Sequence, residues 1–264
     1  MGYKINFNKE LTVLIPIIQL RNAEEKKRLE ASIGSTEGVS TVIVGDKKAI
    51  DSISDISLPE YCKVMVNTSK DKSYAGQVNF AAKNIETKYI SVLEYDDRYT
   101  NAWLTILNEY ANGMGEDVFA FLPLTTVIDN SNSEVLGFSN EAVWAPSFSQ
   151  EIGFLDLESF EDYMGFNASG MIFKRDEFIA LGALKASMKL SYWYEFILRA
   201  LYKKKVMYVI PKIMYEHYIN VPGSITEEYN KTMTPEEADW WIELAKKEYF
   251  FPQDRHKTYN PDNI

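Results

Sequence analysis

The tetrapeptide Glu94-Tyr95-Asp96-Asp97 places three carboxylates within four residues, directly after the apolar run Tyr89–Leu93. Carboxylates grouped this tightly can hold a hard divalent cation such as Mg2+ or Mn2+, which takes oxygen ligands. A cation there can bridge a diphosphate and neutralise the charge that grows on it as a leaving group. A plainer use competes: an acidic turn after a strand caps the next helix, whose N-terminus favours negative charge. His217, within the aromatic segment Tyr215–Ser224, reads by itself as a hydrogen-bonded histidine packed among aromatics. The single cysteine, Cys62, excludes an internal disulfide framework and a Cys-based zinc site.

The elements around these residues alternate. Leu11–Ile18 is a short, β-branched apolar run that suits a strand buried on both faces. Arg21–Ile33 favours helix and ends before Gly34, Thr41–Val44 and Cys62–Val66 read as strands, and Val78, Ala81, Ala82 and Ile85 recur at helical spacing. Tyr89–Leu93 is a fourth strand, Thr100 the expected cap of a helix through Tyr110, and Val118–Leu122 a fifth strand. This alternation predicts an α/β fold with a mostly parallel sheet and helices on both faces. Ligands of such sheets bind outside the carboxyl ends of the strands, where the acidic turn lies.

The second half is less regular. Residues Asp129–Phe166 read as long loops or a short antiparallel insert, a length that is usually functional. A strand over Ser169–Phe173, a helix through Leu181, a helix bearing Trp193, Phe196, Ile197 and Ala200, and a strand over Val206–Ile210 ended by Pro211 follow. Thr234-Pro235-Glu236-Glu237 is a strong helix start, predicting a helix to about Glu248.

The 264 residues are 46% hydrophobic and 25% charged, which excludes disorder as the main state. A net charge of -10 does not steer the protein towards polyanions, although a local basic patch could contact nucleic acid. No apolar run approaches the length of a membrane span and Met1–Glu10 is polar, so the expectation is a cytoplasmic protein.

The segment from Gly76 and Asn79 through Glu94-Tyr95-Asp96-Asp97 resembles the central signature of family 2-like glycosyltransferases with the GT-A fold: a Gly and an Asn open a helix, a strand follows, and an Asp-x-Asp motif ends it. Leu11–Pro16 is similar to the family's first strand, Val42–Asp46 to its second, Gly170–Leu184 to the stretch before its acceptor helix, and Tyr215–Ser224 to the segment after its last strand. The resemblance covers about residues 11 to 225. It implies a GT-A-type nucleotide-sugar-binding sheet, its nucleotide half about 1–125 and acceptor half about 126–225, with 226–264 as a C-terminal helical extension.

The resemblance also implies roles. Pro16, Asp46, Asn79, Glu94 and Asp96 would bind the donor nucleotide; Asp96, Asp97 and His217 would bind Mn2+ or Mg2+. Asn79 has a plainer alternative as a helix-cap contact. The substrates would be a nucleoside diphosphate sugar, UDP-linked by preference, and an acceptor hydroxyl on a glycan or small molecule. Thr234–Tyr259 resembles the ends of transferases of large tailed bacteriophages, which adds a hydroxymethylated base of phage DNA as an acceptor, its aromatics stacking on bases. Where the family has an acidic pair, this chain has Tyr192-Trp193, so the base needed for an inverting transfer is open. Glu195 is the nearest carboxylate, with an i, i+4 pair to Arg199 on a solvated face as its alternative; Asp162, Glu161 and Asp156 are further candidates. Trp144, Phe148, Phe154 and Phe166 are expected near the acceptor. A sugar nucleotidyltransferase would want a Gly-rich loop, and Ile17–Ala31 contains no glycine; a non-catalytic nucleotide- or carbohydrate-binding module on the same scaffold is the remaining alternative.

Overall fold

A computed structural model describes residues 4–163 and 165–261; the outermost residues of the polar N-terminal segment and of the expected tail lie outside the described residues. The first half runs α1 (Phe7–Glu10), β1 (Leu11–Pro16), α2 (Ala23–Gly34), β2 (Ser40–Gly45), α3 (Lys47–Asp51), β3 (Cys62–Val66), α4 (Tyr74–Asn84), β4 (Tyr89–Val92), β5 (Arg98–Tyr99) and α5 (Trp103–Met114). The second half runs β6 (Val118–Asp129), β7 (Glu134–Ser139), a 3-10 turn Glu141–Trp144, α6 (Leu157–Glu161), β8 (Ile172–Lys174), α7 (Arg175–Ala180), a 3-10 turn Ala186–Ser191, α8 (Tyr192–Tyr202), β9 (Val206–Ile219), α9 (Ile225–Thr232) and α10 (Pro235–Glu248).

Among the described residues nine strands form one sheet in the order β3-β2-β1-β4-β8-β6-β9-β5, with β7 paired to β6. The half from β3 to β4 is parallel throughout. β8 runs antiparallel between β4 and β6, and β9 again lies parallel to β6. β1 is buried along its whole length. Its side chains alternate between two cores, Leu14 packing with α4 and α8, and Val13 and Ile15 with α2 and α5. The continuous apolar run of β1 follows from that two-sided burial. The mixed α/β fold expected from the sequence, a sheet with helices on both faces, is therefore present. No helix among the described residues is long and apolar enough to cross a membrane.

Three local expectations change. Thr100 does not cap α5, which starts after Ala102 without a side-chain cap, because residues 98–99 pair with β9 instead. Pro211 does not end β9: opposite Pro123-Leu124 the register skips from Ile210 to Ile213, and the missing N–H falls in that bulge, where the ladder needs no donor. Asn79 lies inside α4, which Ser73 caps through the Gly76 N–H.

Gly170 enters β8 with φ +76°, and a Cβ there would collide with the ring of Tyr215 on β9. Gly170→Ala is expected to lower stability by about 2 kcal/mol or more, read by urea denaturation; an unchanged midpoint would mean the contact is slack.

Candidate active site

β1, β2 and β4 end side by side, which brings Pro16, Asp46 and Glu94 to one rim of the sheet. The chain then turns sharply, Asp97 N–H bonding the Glu94 carbonyl at 3.2 Å. Ser32 on α2 fastens this turn by donating to the carbonyls of Tyr95 and Asp97. Asp97 itself is 1% exposed. It accepts the Tyr218 N–H at 2.8 Å and the Tyr215 hydroxyl at 3.0 Å, and meets His217 Nδ1 at 2.9 Å. The Tyr215 hydroxyl also accepts the Glu94 N–H at 3.3 Å. Asp97 thus stitches the acidic turn to β9 and caps no helix.

Glu94 and Asp96 face a cleft of about 850 Å3. Its walls are the segment after β1 (Pro16, Ile18–Arg21), the loop bearing Tyr163 and Phe166–Ser169, the start of α8 (Tyr192–Tyr194), the end of β9 (His217–Asn220) and α9. Glu94 accepts the Tyr74 hydroxyl at 2.5 Å. Tyr74 in turn stacks on Tyr192, ring centroids 5.1 Å apart. Burial pushes the Glu94 carboxyl up to about 7, the Tyr74 bond opposing and Asp97 reinforcing the rise. Burial, then the charges of Asp97 and Glu94, hold Asp96 well above the usual carboxylate range. Burial alone would lower His217, but Asp97, with Asp96 and Glu94 behind it, carries it up to about 9.

Among the described residues no three His, Cys, Asp or Glu side chains converge as a closed metal cage. The donor set is an open one. The Asp96 carboxylate receives no hydrogen bond from another described side chain, and His217 gives Nδ1 to Asp97, leaving Nε2 as its second ring nitrogen. A carboxylate behind a histidine is the arrangement that orients an imidazole towards a cation. Close carboxylates that repel one another are relieved by a divalent ion. Two such protein ligands would suit a cation only if its remaining ligands came from a diphosphate, as Mg2+ commonly takes them.

Neither a protein-family profile nor a curated protein sequence matches the chain. Solved structures do. The fold resembles that of TarS. The structure of S. aureus TarS 1–349 in complex with UDP-GlcNAc matches with a TM-score of 0.59 and 14% identity, over 90% of this chain and 66% of that one. TarS 1–349 alone gives a TM-score of 0.53 at 13% identity, covering 92% of this chain and 80% of that chain. The UDP complex gives 0.51 at 13% identity, covering 92% and 72%. The present chain therefore spans about two thirds of the first of these, and the likeness is one of GT-A-type fold.

Other expected site residues lie elsewhere. Asp46 is at the rim but outside the cleft walls, one oxygen capping α3 through the Ala49 N–H at 2.8 Å. Asn79 clamps both backbone groups of Leu184, at 2.8 and 2.9 Å, and does not reach the cleft. Glu195 is on no solvated face: it is fully buried, 2.8 Å from both Arg199 and Lys185. Asp162 is on the surface near Lys246, Glu161 accepts the Tyr249 hydroxyl, and Asp156 caps α6. Of the four expected aromatics only Phe166 lines the cleft; Trp144 and Phe154 pack on Tyr208, and Phe148 on Tyr163. The boundary drawn at 225 meets α9, which with Ala238 and Ile242 of α10 walls the cleft. Sequence reasoning missed Tyr74 and Arg21 as cleft-side residues; neither carries a spacing signal.

Two substitutions separate these roles. Asp97→Asn is expected to return His217 from about 9 towards its ordinary value of 6.5, read by NMR titration of the ring. The stabilisation that His217 gains from Asp97 is present below about pH 6.5 and fades as pH rises through about 9, so the variant's deficit is largest at acid to neutral pH. Glu195→Gln leaves two buried cations short of a counter-charge and is expected to cost about 3 kcal/mol or more by urea denaturation. Wild-type stability with lost turnover would instead make Glu195 catalytic.

Proposed function

We propose that the protein moves a sugar from a nucleoside diphosphate sugar, UDP-linked by preference, to an acceptor hydroxyl, with Mn2+ or Mg2+ assisting. One observation carries this reading: Asp96 and the Asp97-backed His217 meet the end of β1 in a single roomy cleft of a GT-A-type sheet. The crystallised likeness of TarS with UDP-GlcNAc supports the choice of donor.

Asp96 and His217 Nε2 would hold the cation. When bound, it would supply positive charge to the departing diphosphate. Asp97 holds the imidazole in orientation, and Tyr215 braces Asp97. Pro16 and Ile18–Arg21 would flank the base and ribose, with Asp46 at the neighbouring strand end. Tyr74 fixes the Glu94 side chain against the wall that begins at Tyr192.

A binding module on the same scaffold is the second reading. It is favoured by the aromatic pair Tyr192-Trp193 at the family's acidic position, and by the other engagements of Asp156, Glu161, Asp162 and Glu195. Incubation with UDP- and GDP-sugars and Mn2+, followed by assay of the freed nucleotide, decides between them. Slow release supports the transferase; tight UDP binding with no release from any donor supports the module.

Asp96→Ala is expected to weaken Mn2+-dependent UDP binding by about tenfold or more, measured by calorimetry. Protons compete with the cation at Asp96 and His217, and protonation of Glu94 removes negative charge beside it. Binding should therefore be stronger at about pH 8 than at about pH 6 and should release protons. Equal affinity at both pH values, together with an indifferent Asp96→Ala, would remove the cation from the reading.

A further inference from the structure

The cleft has two chemically different ends. One is the carboxylate rim described above. The other is a wall of rings: Tyr163 and Phe166 from the loop before β8, and Tyr192, Trp193 and Tyr194 from the first turn of α8. The rings support one another. Tyr163 and Phe166 lie 6.2 Å apart, Tyr192 and Trp193 6.3 Å, and Trp193 sits edge-on to Phe173 and Phe196 in the core behind it. The Tyr194 hydroxyl is fixed by the Glu161 carbonyl. Such braced rings lose little freedom when a flat ligand settles on them. Beside them Asn167 has Oδ1 held by the Ser169 N–H, while Nδ2 makes no hydrogen bond with another described residue. Aromatic walls with one or two polar groups suit a ring that has a C–H face and a hydroxyl edge.

The charges on the walls narrow the ligand further. Glu25, Glu94, Asp96, Glu227 and Glu228 line the cleft, and no lysine does so among the described residues. Its two cations are engaged: Arg21 lies 3.8 Å from Glu228, and His217 lies on Asp97. Beyond the one cation that the donor diphosphate would occupy, a phosphate-bearing acceptor entering here would meet carboxylates and no free protein cation to receive it, which is the reverse of a polyanion site.

Resting on the transferase reading, we infer that the acceptor is an uncharged carbohydrate, its terminal ring lying on the wall of Tyr163, Phe166 and Tyr192–Tyr194, and that the acidic lining disfavours polyanionic acceptors, nucleic acid included.

The test uses the full chain with UDP-GlcNAc or whichever UDP-sugar is hydrolysed, Mn2+, and three acceptor sets: neutral oligosaccharides, phosphorylated or sialylated oligosaccharides, and DNA containing hydroxymethylcytosine. Products are read by mass spectrometry at low salt, where repulsion is unscreened. Transfer to neutral oligosaccharides, at least about tenfold faster than to either anionic set, is the expected result. Faster transfer to phosphorylated glycans or to the DNA overturns the inference while leaving the transferase reading standing. Failure to bind or hydrolyse any donor removes that reading, and the inference with it. Tyr163→Ala and Trp193→Phe are expected to raise the KM for the neutral acceptor, Tyr163→Ala by about tenfold, with UDP still bound as evidence of folding. An unchanged acceptor KM in both variants also overturns the inference.

Discussion

The arrangement of the site depends on one buried carboxylate. Asp97 is shut away from water and would be costly there without partners. It receives the Tyr215 hydroxyl, the Tyr218 N–H and the His217 ring, all from the last strand. The turn after β4 and the far end of β9 are more than a hundred residues apart in sequence, yet they are held by a single side chain. Asp96 is a neighbour of this anchor and gains a fixed position from it. The motif therefore divides its labour: Asp97 fastens, Glu94 is held by Tyr74, and Asp96 faces the cleft without a hydrogen-bonding side chain.

A second buried ionic group fastens the other side. Glu195 bridges Arg199 and Lys185, while Arg199 also donates to the carbonyls of Leu181 and Ala183, and Lys185 to that of Glu248 at the end of α10. Burial lowers the Lys185 ammonium despite the nearby Glu195. Taking these charges out of water is costly, so the network is not an obvious source of stability. Its consequence is positional. It ties the first turn of α8, which presents Tyr192–Tyr194 to the cleft, to the C-terminal helix. The extension is thus a component of the cleft wall as well as of the core.

Much of this was legible in the residues. β3 and α10 appear at the limits that Cys62–Val66 and the Thr234-Pro235-Glu236-Glu237 start signal predict, because apolar runs and capping chemistry act locally. The acidic turn was legible for the same reason. Pro211 was misleading because a bulge depends on the partner strand, and Pro123 and Leu124 of β6 are distant in sequence. Glu195 was misleading because i, i+4 spacing reveals its partner Arg199 but says nothing about which face of α8 is covered. The division of roles between Asp96 and Asp97 was invisible, since only the return of β9 distinguishes two adjacent aspartates.

The cluster at the rim is electrostatically unfinished. Burial and mutual repulsion hold Glu94 and Asp96 towards their protonated forms, and the same field draws a proton to His217. A protein selected for stability alone would replace one of these carboxylates, because like charges so close destabilise the folded chain. Positive charge arriving from outside would relieve them. A cation would then be drawn to the position beside a diphosphate that the open donor set leaves for it, and no rearrangement of the turn would be needed, because Ser32, Tyr215 and Tyr218 already hold the backbone in place.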